Sequence, residues 1–131
     1  MNPSNNESIG YLIVKVSTAR GAIPLENATV SIRGTPEENS GIIYSFETNQ
    51  SGLTPKIPLP APNKNLSQTP NNIPPYSLWN IDVFYKGFST AHYTNVPVYS
   101  EITSIQNADL IPLPEGFSPS DSYNESSAPN L

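Results

Sequence analysis

The chain has 131 residues, six basic and eleven acidic side chains, a net charge of −5 and no cysteine. That length fits one domain with a hydrophobic core of its own, while the acidity and the lack of any Lys or Arg run argue against nucleic acid or an anionic membrane surface as partner. Without cysteine there is neither a disulfide framework nor a thiolate metal site, and fifteen prolines, roughly twice the usual share of about 5%, argue against long helices.

The opening MNPSNNESIG is polar and shows no secretory signal, so residues 1–8 are expected to be a flexible N-terminus and localisation is left open. Strand periodicity starts in GYLIVKVSTA, where Leu12, Val14 and Val16 fall on one face and Tyr11, Ile13 and Lys15 on the other. A turn is expected near Gly21. NATVSIRG then offers Ala28, Val30 and Ile32 to a core, and GIIYSFET offers Ile42, Tyr44 and Phe46, with the segment from Gly34 to Gly41 as the hairpin loop between them.

After the TNQSG turn, SGLTPKIPLPAPNK keeps an apolar alternation yet sets prolines at 55, 58, 60 and 62. Backbone donors alternate with period two, so Pro58, Pro60 and Pro62 remove N–H groups from one lateral side only. This predicts an edge strand that pairs through Ile57, Leu59 and Ala61 and is blocked on its proline side. The segment from Asn63 to Tyr76 is too long for an ordinary hairpin connection, a length at which loops are functional or disordered.

Next, SLWNIDVFYKG aligns Trp79, Ile81, Val83 and Tyr85, and STAHYTNVPV and ITSIQNADLIPL complete about seven strands. From Ser118 to Asn130 there is one aromatic and no branched aliphatic residue, so residues 118–131 are expected to be a disordered tail or linker.

The stretches GYLIVKVSTARGAIPLENATVSI, ETNQSGLTP and YSLWNIDVFYKGF resemble, in order, the landmarks of the carboxypeptidase regulatory-like domain: Gly10 before the first strand, Gly21 and Pro24 before Ala28, the turn from Thr48 to Gly52, and Tyr85 to Phe88. IPLPAP, PPYSLWNI, NVPVY and LIPLPEGF look like the version that accompanies peptidoglycan-binding proteins and spore cortex-lytic enzymes of spore-forming Gram-positive bacteria. The resemblance covers about residues 9–117. It implies a seven-stranded prealbumin-like Greek-key β-sandwich, monomeric and without cofactor or metal. It further implies a non-catalytic accessory module that binds peptidoglycan or a cell-wall or spore protein, in the spore or cell wall. The alternative is a structural protein–protein interaction domain that binds no glycan.

Catalytic candidates are sparse. His92 is the sole histidine and shares a face with Thr90 and Thr94, which reads as a solvated strand position with no partner identifiable by spacing. Asp82 and Glu47 lie on polar strand faces; a glycosidase pair would need a defined separation that sequence does not give. The prealbumin-like hydroxyisourate hydrolases use several histidines and a C-terminal Tyr-Arg-Gly-Ser, whereas this chain ends Ala128-Pro129-Asn130-Leu131. Related Gram-positive surface sandwiches join a first-strand lysine to a last-strand asparagine beside a carboxylate, for which Lys15, Asn107 and Glu47 have the right types and order. That reaction needs a buried, neutral lysine, and Lys15 is on the face opposite the core residues. For a sugar ligand, Tyr11, Tyr76, Tyr93 and Tyr99 are the available aromatic faces.

Overall fold

The computed structural model describes residues 7–36, 39–62, 76–114 and 123–126, and among these there is no helix. The strands are β1 (Glu7–Thr18), β2 (Ile23–Pro24), β3 (Thr29–Gly34), β4 (Ile43–Glu47), β5 (Ile57–Pro62), β6 (Tyr76–Phe84), β7 (Ala91–Tyr99), β8 (Thr103–Leu110) and β9 (Tyr123–Ser126). Seven of these coincide with the expected strands. The two additions, β2 and β9, are of two and four residues, too short to show a period.

The strands form two sheets. In one, β5 and β2 lie end to end along one side of β1, with β8 parallel to β1 on its other side; the second has the order β4-β3-β6-β7-β9. The alternation of apolar residues explains the layering. Leu12, Val14 and Val16 of β1 and Ile57 and Leu59 of β5 meet Val30, Ile32, Trp79, Ile81 and Val83 from the second sheet, all essentially inaccessible to solvent. A buried relay ties the layers: the Trp79 indole N–H donates to Ser77 Oγ at 2.8 Å, and the Ser77 hydroxyl donates to the Pro60 carbonyl at 2.7 Å.

Close approach fixes two glycines. A Cβ on Gly10 would lie 2.3 Å from the Tyr99 carbonyl oxygen, where β1 passes the end of β7. Gly52 has φ of +78°, and a Cβ there would lie 2.3 Å from the Val16 carbonyl oxygen.

Two expectations need correction. Glu7 and Ser8, assigned to a flexible N-terminus, belong to β1 and stand opposite Pro62 and Ala61. Tyr123–Ser126, assigned to the tail, forms β9 parallel to β7 from Ala91 to Thr94; backbone hydrogen bonding to an existing sheet edge needs no apolar side chains, the signal on which the tail assignment rested. Within β7 the alternation breaks: Ala91 and Tyr93 are buried, then Val96 and Val98. Trp79 pairs with Val96 and Ile81 with Tyr93, so β7 has one extra residue. Asn95 accommodates it with φ of +56°, and its N–H donates to Asn80 Oδ1 at 3.1 Å. The expected long loop lies, but for Tyr76, outside the described residues, as do the remaining tail positions.

Candidate functional site

Three surfaces gather the chemically capable residues. On the outer face of the five-stranded sheet, β3, β6 and β7 bring Arg33, Asp82 and His92 together. The Arg33 guanidinium donates to Asp82 Oδ2 at 2.8 Å and His92 Nδ1 lies 2.5 Å from Asp82 Oδ1. His92 therefore has a carboxylate partner, which spacing could not reveal because the contact depends on the β6–β7 register that sets Asp82 opposite His92. The arrangement does not make a nucleophile relay. Along that row the order is Ser45, Ser31, Asp82, His92, which leaves the carboxylate between hydroxyl and imidazole. Glu47 sits two strands away and two residues along from Asp82, about 12 Å at Cα by strand geometry; this does not favour a glycosidase pair. The three side chains instead clamp β3, β6 and β7 together through the Asp82 carboxylate.

The same face holds Tyr76 and Tyr99, paired in register at the end of β6 and β7 with ring centroids 5.6 Å apart and planes at 66°. The other two tyrosines are elsewhere. Tyr93 is only 4% exposed and belongs to the core. Tyr11 is on the outer face of the other sheet, with Lys56 Nζ 4.5 Å from its ring centroid. The four tyrosines thus provide one edge-to-face pair and no shared flat platform.

On the outer face of the four-stranded sheet, the parallel register sets Lys15 directly beside Asn107. Both are exposed, and with Ser17, Arg20, Gly21 and Asp109 they line an open depression of about 350 Å3. Asp109 Oδ1 accepts the Gly21 N–H at 3.2 Å and so fixes the β1–β2 turn, in which Ala19, Arg20 and Gly21 all have positive φ. Glu47 is on the outward side of the opposite sheet. The isopeptide residues are therefore split: lysine and asparagine are adjacent in water, and the carboxylate is across the sandwich. Toward the other end of this face exposed apolar residues surround Tyr11 and the Lys56 ammonium over its ring: Ile9 is 43% exposed, Ile13 stands beside Ile105, which is 62% exposed, and Pro58 is exposed.

The sheet edges are the third surface. Among the described residues β5 pairs with β1 alone, through Leu12 to Ile57, Gly10 to Leu59 and Ser8 to Ala61, with Pro58, Pro60 and Pro62 on the alternate positions. β4 pairs with β3 alone and has no proline or lysine. The sequence signal for this second edge was the bare contrast between IPLPAP and IYSFE.

Compared with known proteins, the chain matches no family model and no curated protein.

Proposed function

We propose that this chain is a non-catalytic accessory module of a cell-wall or spore-cortex system and that it engages a protein partner rather than glycan. The wall context comes from the resemblance to carboxypeptidase regulatory-like domains. The strand orders β5-β1-β8 and β4-β3-β6-β7 support that reading, since they suit a prealbumin-like Greek key in which the first strand joins one sheet and the next two long strands the other.

The observation that carries the choice of partner is the scatter of the tyrosines. A glycan-binding face needs exposed rings in a common plane, whereas Tyr76 and Tyr99 meet at 66° and Tyr93 is buried. A protein partner needs an apolar patch or an unpaired edge, and the Ile9, Ile13, Ile105 surface and β4 offer both.

Sedimentation of the purified protein with insoluble wall or cortex tests this. Little retention at moderate salt is expected, with no release of soluble muropeptides. Strong retention that Tyr76→Ala with Tyr99→Ala abolishes would restore the glycan reading, and muropeptide release lost on changing Asp82 or Glu47 would overturn the non-catalytic one.

A further inference from the structure

We propose that the protein self-associates through β4, two copies joining their β4 strands antiparallel about a two-fold axis at Ser45, so that their five-stranded sheets continue as one. This is independent of the wall context proposed above, and it revises the expectation of a monomer.

The backbone directions of β4 are settled by its neighbours. Gly34 N–H donates to the Ile42 carbonyl at 3.0 Å and Thr48 N–H to the Ala28 carbonyl at 3.1 Å. Val30 stands opposite Phe46 and Ile32 opposite Tyr44. The even-numbered residues of β4 therefore bond to β3, and the N–H and C=O groups of Ile43, Ser45 and Glu47 point away from it with no partner among the described residues. IYSFE has no proline, lysine or bulge to blunt the edge, and its single charge is Glu47 at the end of the strand.

A second copy fits this edge better than a shifted or unrelated strand for three reasons. With the axis at Ser45, Ser45 meets its own counterpart and Ile43 meets Glu47 of the other copy, so each of the three free residues donates one hydrogen bond and accepts one. Centring on Glu47 would instead set two carboxylates directly opposite, which is destabilising. On the core side, Tyr44 and Phe46 are half-buried, with ring centroids 6.3 Å apart. In the two-fold pair Tyr44 faces Phe46 of the other copy in the closer, non-hydrogen-bonded type of pair, and these rings cover one another. On the outer face Arg33 is in register with Ile43, which places it two strand spacings, about 10 Å, from Glu47 of the other copy. Opposite charges thus share a row across the joint.

The contact is small, below the ~1,200 Å2 of a standard interface, so a dissociation constant on the order of 0.1 mM is expected. Sedimentation equilibrium of the full chain between about 10 µM and about 1 mM should show the average mass rise from monomer toward dimer. Ser45→Lys and Ser45→Glu each replace an exposed hydroxyl and set like charges across the axis; each should weaken association at least about tenfold. An equimolar mixture of the two variants should recover it, which also shows that both are folded. The proposal is overturned by a parent that stays monomeric at the highest concentration, leaving the edge to a strand of another protein. Growth past the dimer, association insensitive to Ser45→Lys, or failure of the mixture to recover would overturn it equally.

Discussion

β5 and β4 each end a sheet, and the chain treats the two ends in opposite ways. β5 is woven into the core through Ile57, Leu59 and Ala61, and its outward positions hold Pro58, Pro60 and Pro62. β4 has only half-buried residues on its core side and keeps every N–H on its outward side. The lesson is that an edge is sealed by what occupies alternate positions, not by how apolar the strand is. Three consecutive outward donors missing from a central strand would cost its neighbour roughly 1–3 kcal/mol each, comparable with a domain's whole ~5–15 kcal/mol. The same prolines at an edge cost nothing and prevent pairing. Ser77 completes the seal by donating to the outward carbonyl of Pro60.

The largest expected effect compares the anchors of the two strands. Leu59→Ala should destabilise the fold by about 2–5 kcal/mol, as for a fully buried leucine, and Phe46→Ala by only about 1–2 kcal/mol because its ring packs at the margin of the core and is only partly buried. Urea denaturation with a constant m-value reads both. Equal losses would mean that β4 is as deeply anchored as β5.

Ser77→Ala comes next. It removes the donor to Pro60 and leaves the buried Trp79 N–H without its acceptor, for an expected loss of about 1–3 kcal/mol. A loss within a few tenths would show that the relay does not bind β5 to the second sheet.

Pro58→Thr with Pro60→Thr should change stability little, since the restored N–H groups face water. It should instead add a second adhesive edge, on the other sheet, so that size-exclusion dilution series show assemblies larger than the parent forms. A variant that elutes as the parent does at every concentration would mean that the prolines are not what seals β5.

The smallest effect is a null one. Lys15 and Asn107 are adjacent but exposed, and Glu47 is across the sandwich, so the intact mass should equal that of the sequence. Loss of one ammonia would place a carboxylate beside them.

The long alternations were legible because burial on one face imposes period two within a single strand: Leu12, Val14, Val16; Val30, Ile32; Trp79, Ile81, Val83. The proline edge was legible for the same reason, since its signal is local. What escaped depends on two strands at once. The bond between His92 and Asp82 and the adjacency of Lys15 and Asn107 follow from register, which no single segment encodes. The bulge at Asn95 was visible only as a lapse in alternation between Tyr93 and Val96. Tyr93 was offered as a ligand residue because tyrosine suits both surface and core; its position opposite Ile81 decides for the core. The open edge of β4 is defined by what is missing from its sequence, and absences are hard to read until a neighbouring strand supplies the contrast.

Amide hydrogen exchange, resolved by residue, tests the difference between the edges most directly. In dilute solution the amides of Ile43, Ser45 and Glu47 should exchange rapidly while those of Ile57, Leu59 and Ala61 stay protected, and raising the protein concentration should slow the first set without altering the second. Protection of Ile43, Ser45 and Glu47 at the lowest concentration, or rapid exchange at Ile57, Leu59 and Ala61, would contradict the account.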